Sequence, residues 1–229
     1  MSRLKTLLDE LCPDGVEYKK LGECLLANIG GGTPKKTIAS YWGGDIPWAS
    51  VKDVVNEELF LNTTKDFITE EGLKHSTSNL IKKGNVIVAT RINPGKMLIA
   101  GKDVAINQDL RGLILTENLN AKFLTYYFQT LKIQGKGTTV KGISIAELEA
   151  IRIPVPPLAV QSEIVRLLDN FTALTAALTA ELAARKTQYE HYRDTLLTFD
   201  GAPGDTFASK QASKQASKQA SKQASKQAD

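Results

Sequence analysis

The sequence predicts an α+β protein: a mixed α/β globular domain, then one long coiled-coil-forming helix, then a low-complexity tail. Three observations carry that prediction. Between Pro157 and Gly201 there is neither proline nor glycine, and apolar residues recur at alternating steps of four and three. The series is Ile164, Leu168, Phe171, Leu178, Leu182, Tyr189, Tyr192, Leu196 and Phe199, with Thr175 and Arg185 in the two remaining slots. That is a heptad pattern, the mark of a helix packed along its length against another helix. Before it, Gly84–Ala89 and Met97–Ala100 are short apolar runs that suit strands, and Ala121–Leu131 is an amphipathic helical pattern. After it, Ala208–Gln227 is five copies of Ala-Ser-Lys-Gln, with no apolar stripe to bury. The boundaries are therefore 1–157 for the globular domain, 158–199 for the helix and 200–229 for the linker and tail.

In chain order, Leu4, Leu7, Leu8 and Leu11 share one face of a short amphipathic helix, and Pro13-Asp14-Gly15 turns the chain. Val16–Leu21 is a brief strand, and Leu21–Ile29 leads into Gly30-Gly31-Gly32-Thr33-Pro34-Lys35-Lys36. This run lacks the GxxxxGK[ST] spacing of a phosphate loop, and a proline follows where a helix N-terminus would hold the phosphate. A flexible loop, or a backbone that approaches a polyanion closely beside Lys35 and Lys36, fits it better. Trp42 and Trp48 lie in an aromatic and glycine cluster and are expected to pack a core or brace a loop. Residues 69–80 begin as a helix with Glu70 and Glu71 in the opening turn.

Between Gly72 and Lys102 there is no acid, while Lys74, Lys82, Lys83, Arg91, Lys96 and Lys102 fall inside. A strand, a basic turn over 91–96 and a second strand would present those cations to a phosphate backbone. A lysine-rich solvated face is the alternative. Residues 103–115 are again β-like and contain Asn107, Gln108 and Arg111, side-chain types that can pair with base edges. Ala121–Leu131 is an amphipathic helix whose aromatics belong to the core. The loop 132–142 holds Lys132, Lys136, Lys141, Thr138 and Thr139 with no acid. Residues 143–152 form a short helix that runs into a strand, and 153–157 an extended connector.

The net charge of +4 is located entirely in the tail. Removing its five lysines and one aspartate leaves 24 basic and 24 acidic residues in 1–207, so a nucleic-acid surface must be a local patch. Two cysteines make no disulfide framework and no zinc spacing, which points to a reducing cytoplasm. No apolar run is long enough to span a membrane, and the N-terminus lacks a signal peptide's apolar core. There is no nucleophile elbow, no HExxH and no dinucleotide fingerprint, and His75 and His191 have no metal-ligand spacing. The chain is not expected to be an enzyme or to hold a metal.

The ordered set Gly31-Gly32-Thr33-Pro34, Tyr41-Trp42, Asp45-Ile46-Pro47-Trp48, Ile68–Leu73, Asn107-Gln108-Asp109 and Ile153–Gln161 resembles the specificity (S) subunit of type I restriction–modification enzymes. Residues 164–175 and 188–194 of the helix are similar to the conserved spacer of the IC group in that family. The resemblance implies a target-recognition domain that reads half of an interrupted site on double-stranded DNA. It also implies methyltransferase (M) subunits that bind S-adenosylmethionine, and a restriction (R) subunit that cleaves; no cofactor is expected on this chain itself. Residues 174–185 contain a tetrapeptide repeat that, by the same resemblance, lengthens the spacer, each copy adding about 6 Å of helix. A usual S subunit has two recognition domains and two long helices. This sequence has one of each and is expected to be a half-length form, natural or truncated, that homodimerises.

The expected DNA-contacting residues are Lys35, Lys36, Arg91, Asn93, Lys96, Gln108, Arg111, Lys136, Thr138, Thr139 and Lys141. The expected dimer or subunit interface is Ile164, Leu168, Phe171, Leu178, Leu182, Tyr189, Tyr192 and Leu196. The competing function is a non-enzymatic coiled-coil adaptor or decoy that binds M subunits without reading sequence.

Overall fold

The structure, a computed structural model, describes residues 3–54, 58–136 and 141–198. Thr138, Thr139, Phe199 and the repeat tail lie outside the described residues. The chain divides into two units, Met1–Leu168 and Asp169–Asp229. It is a mixed α/β domain with a long C-terminal helix, as the sequence predicts.

The first unit opens on helix α1 (Arg3–Leu11), followed by strands β1 (Tyr18–Lys20), β2 (Leu25–Gly30), β3 (Trp42–Ala49), β4 (Phe60–Leu61) and β5 (Asp66–Ile68). Helix α2 (Glu70–Lys74) starts where Thr69 accepts the Gly72 N–H at 3.0 Å, a side-chain N-cap. Strands β6 (Asn79–Ile81), β7 (Val86–Ala89), β8 (Met97–Ala100), β9 (Val104–Ile106) and β10 (Leu110–Leu115) follow. Helix α3 (Ala121–Thr130) is capped by Asn120, whose side-chain oxygen accepts from the Lys122 and Phe123 N–H groups. Helix α4 (Ile145–Glu149) begins in a reciprocal capping box of Ser144 and Glu147. Strand β11 (Arg152–Pro154) then leads to helix α5 (Leu158–Leu196).

Among the described residues the strands form three sheets. One has five strands in the order β2-β10-β7-β8-β4, one has four in the order β5-β3-β9-β6, and β1 pairs with β11. Period-two alternation decides what each face of the five-stranded sheet covers. Val86, Val88 and Leu113 face a layer built from Leu21, Phe123, Leu124, Phe128, Leu148 and Val165. Ile87, Ala89, Leu98 and Leu110 face the second sheet through Ala49, Ile81, Val104 and Ile106. Trp48, Ile68 and Ala105 pack on the far side of that second sheet. The result is helices on one face, two stacked sheets and an outer aromatic patch. Cys24 is in the first core, and burial pushes its thiol up from the ordinary range, away from reactivity.

Helix α5 crosses the boundary between the units. In residues 158–168, Val160, Gln161, Glu163 and Val165 are buried, and Ile164 packs against the first core. Ile164, the first residue of the expected helix–helix seam, is thus engaged by its own domain. Glu163 receives two hydrogen bonds from Arg166, at 2.7 and 2.9 Å, and lies 3.7 Å from Arg3. That pairing holds its carboxyl below the usual range. In the second unit, Phe171, Leu174, Leu178, Leu182, Tyr189, Tyr192 and Leu196 are all exposed. Leu174 lies beside Thr175 and widens the stripe at one of its two polar slots.

Candidate nucleic-acid interface

The sheet registers bring several loops to one end of the stacked sheets. Ala89 at the end of β7 pairs with Leu110 at the start of β10, and Gly30 at the end of β2 pairs with Arg111. In the second sheet, Ala49 and Asn79 both pair with Ile106, the last residue of β9. The loops that leave these residues share one rim: 31–38, 50–53, 90–96 and 107–109.

Asn107-Gln108-Asp109 joins the loops on either side of it. The Asp109 carbonyl accepts from the Thr90 N–H at 2.8 Å and the Thr90 hydroxyl at 3.0 Å, and its carboxylate accepts from Arg91 at 3.3 Å. On the other side, Gln108 accepts from the Thr33 hydroxyl at 2.6 Å. The basic turn 91–96 and the described ends of the loop 132–142, separate in sequence, are joined here. Ile92 donates to the Lys141 carbonyl at 2.9 Å, Ile143 donates to the Thr90 carbonyl at 2.8 Å, and Gly142 bridges to both Arg91 and Lys136. Ile92 has φ +69°, a left-handed conformation that costs a β-branched residue energy and is held by that bond to Lys141.

Between these loops and the end of α3 lies a cleft of about 1030 Å³. Asn93, Lys96, Lys132, Gln134 and Lys141 line it, and none of its lining residues is acidic. A second cavity, of about 520 Å³, lies among Lys36, Trp42, Trp48, Lys52, Asp66 and Gln108. The rim therefore gathers Lys36, Arg91, Asn93, Lys96, Gln108, Lys136 and Lys141 of the expected set. Lys35 is exposed on the glycine loop, where its carbonyl accepts from the Trp42 indole at 3.3 Å.

Arg111 does not join them. Alternation puts it on the face of β10 that carries Leu113, toward the helical layer. Its guanidinium donates to the Asn28 side chain at 2.7 Å and the Asn28 carbonyl at 2.8 Å, and Asn28 donates to Glu149. Arg111 braces β2 against β10. The glycine run likewise serves the fold. A Cβ on Gly31 would lie 2.2 Å from the Asn107 carbonyl, and one on Gly32 2.0 Å from the Thr77 hydroxyl, so these glycines allow close approach of the chain to itself. The tryptophans brace this loop: Trp48 donates to the Gly32 carbonyl at 3.1 Å and packs edge-on to Trp42 at 5.2 Å. Lys52 was missed by sequence reasoning. Its only local signal is the Ser50–Asp53 pair that caps its turn, where the Asp53 carboxylate accepts from Ser50.

Lys136 is paired with Glu147 at 2.5 Å. The Lys136 ammonium first, and the Ser144 N–H and hydroxyl after it, pull the Glu147 carboxyl down to about 2. A depressed carboxyl contributes stability that is present above its unfolded value near 4.5 and is lost as pH falls through about 2. The clasp between the 132–136 segment and α4 is therefore expected to open only in that acid window. A carbon-13 titration of the Glu147 carboxyl checks it, with Lys136→Met expected to raise the midpoint; a native midpoint near 4.5 would refute the pairing.

Residues 13–185 match the model of the type I restriction modification DNA specificity domain. The chain belongs to that family of specificity subunits. It is 33% identical over 201 residues to the EcoR124I/EcoR124II specificity subunit of Escherichia coli, covering 80% of this chain and 48% of that protein. To the EcoprrI specificity subunit of the same organism it is 35% identical over 220 residues, covering 87% and 54%. This specificity-family chain thus spans about half the length of the curated relatives it matches. Its fold is that of the HsdS subunit from Thermoanaerobacter tengcongensis, with TM-score 0.56, 22% identity, and 78% and 44% of the two chains covered. A chain from a structural study of complex assembly and conformational transition of the type I R-M system aligns with TM-score 0.62 and 23% identity over 82% and 48%. Among the described residues no helix is long and apolar enough to cross a membrane.

Proposed function

We propose that this chain is a non-catalytic DNA-recognition subunit that reads one half of an interrupted site. The observation that carries the proposal is the rim of strand-end loops, with an acid-free cleft lined by Lys96, Lys132 and Lys141 beside a turn that exposes Gln108. Lysines in such a cleft suit phosphates, which fix the register of a duplex, and the amide at its edge suits base readout. Chemistry then belongs to partners: methyltransferase subunits that bind S-adenosylmethionine, with a restriction subunit for cleavage. A second copy of the chain pairs along the exposed stripe of α5, so that two heads read an inverted, interrupted site.

Binding to duplex DNA is expected to weaken steeply with salt, because each lysine on a phosphate releases a counterion. In Lys96→Ala, Lys132→Ala and Lys141→Ala combined, the slope of log affinity against log salt should flatten by about 0.9 per lysine lost. Fluorescence anisotropy across a salt series measures this. An unchanged slope would remove the cleft from the interface. Assembly with methyltransferase subunits but no sequence preference would favour an adaptor that does not read DNA.

A further inference from the structure

In the turn between β9 and β10 two of the three side chains are spent internally. Asn107 is buried; its amide donates to the Asp109 carboxylate at 3.2 Å, and its carbonyl accepts the Asp109 N–H at 3.1 Å. Asp109 also accepts from Arg91. Gln108 is the exposed member.

Its amide is oriented by one internal hydrogen bond. The 2.6 Å separation from the Thr33 hydroxyl lies in the range of an O–H···O bond and is shorter than an N–H···O bond, so the carbonyl end faces Thr33. Thr33 is fixed in turn. Its predecessor Gly32 is locked by its N–H to the Ile106 carbonyl at 2.9 Å and by the Trp48 indole, and its successor Pro34 is buried. The two indole N–H groups beside Gln108 are also committed, to Gly32 and Lys35. With its carbonyl held toward the loop, Gln108 presents its NH₂ to whatever approaches the rim.

Resting on the DNA-recognition reading above, we infer that Gln108 is a specificity-determining residue of preset polarity, donating to a base-edge acceptor and discriminating against cytosine. In the major groove, guanine offers N7 and O6, thymine offers O4 and adenine offers N7 as acceptors. Cytosine offers only its N4 amino group, a donor that would meet a donor. Thr33 is the positioning residue. It touches no base in this scheme and acts by fixing which end of the amide is turned outward. The expected discrimination at one base pair, from a single donor, is about 2- to 10-fold.

The test is selection of bound sequences from a pool of duplexes with randomised positions, using the full chain and three variants. Gln108→Glu replaces the donor by acceptors and is expected to move the preference at one position to cytosine. Thr33→Val removes the clamp and is expected to relax that same position so that cytosine is admitted, while Thr33→Ser restores the original motif. Thermal melting of each variant accompanies the selection. Because Gln108 is exposed at a turn tip, its Glu variant carries the test even if the Thr33→Val loop is perturbed. A motif unchanged in Gln108→Glu would overturn the role of Gln108 and leave DNA recognition standing. A native chain that enriches no motif would overturn both.

Discussion

Replacing Gln161 by Ala is expected to lower the unfolding free energy of the first unit by about 3 kcal/mol, and its melting temperature by roughly 6–12 °C. Gln161 is fully buried in the first turn of α5. Its Nε2 donates to the Asn118 carbonyl at 2.8 Å and the Pro156 carbonyl at 2.7 Å, and its Oε1 accepts the Asn120 N–H at 2.8 Å. One side chain thus ties the helix start, the proline connector and the N-cap of α3 together. Truncation leaves three backbone groups without this partner, the Pro156 carbonyl in a buried setting and the Asn118 carbonyl and Asn120 N–H in partly buried ones, and each such group costs up to about 1–3 kcal/mol. Gln161→Glu keeps the acceptor but loses both donors and sets a charge against two carbonyls, so it should be at least as damaging. Ser162→Ala, exposed one residue on, should change little. Chemical denaturation measures all three. A loss under about 1 kcal/mol in the Ala variant would mean that the three bonds are not made together.

Helices were the most legible parts of this sequence because their signals are local. The acidic opening turn at Glu70 and Glu71 and the aromatic stripe of α3 need no tertiary information. The apolar runs of β7 and β8 are legible for the same reason, being buried on both faces. Strand β3 was harder. It contains Gly43, Gly44 and Pro47, all poor strand residues, yet it lies between β5 and β9. A register shift between Trp42 and Ile46 absorbs the glycines. Residues 103–115 looked like one β-like stretch, but the Asn107–Asp109 turn divides them into two strands that belong to different sheets.

The candidate site divides along the same line. Lysine-rich loops are visible as composition, but their assembly at one rim depends on pairings between strands distant in sequence, such as Ala49 with Ile106. Arg111 is turned away from the rim for a reason that composition cannot contain. A strand alternates its faces, and Asn28, from a neighbouring strand, captures the guanidinium. Thr33 and Gln108 are likewise 75 positions apart, so their contact has no local signature.

In the proposed homodimer, Leu178→Glu with Leu182→Glu is expected to weaken the pairing of α5 with the second copy of the chain severely. Leu178 and Leu182 are 58% and 70% exposed, and the other large apolar residues of the stripe beyond residue 168 are similarly open. A helix stretch with no buried side chain gains little from propensity alone, so its stability depends on a partner along its length. Burying each leucine is worth about 1.5–3 kcal/mol per chain, and a charge at the seam also brings like charges together across the two-fold axis. The dimer is therefore expected to weaken by at least about 100-fold. Sedimentation equilibrium reads this as a shift to monomer, and circular dichroism should fall in step as the unsupported helix frays. Ala180→Glu places the same charge on the opposite face, because two residues turn a helix by about 200°. It should leave the dimer intact. A dimer that survives the double substitution would place the contact elsewhere. A native chain that is already monomeric at micromolar concentration would end the two-headed reading and leave one head, reading one half-site, on each chain.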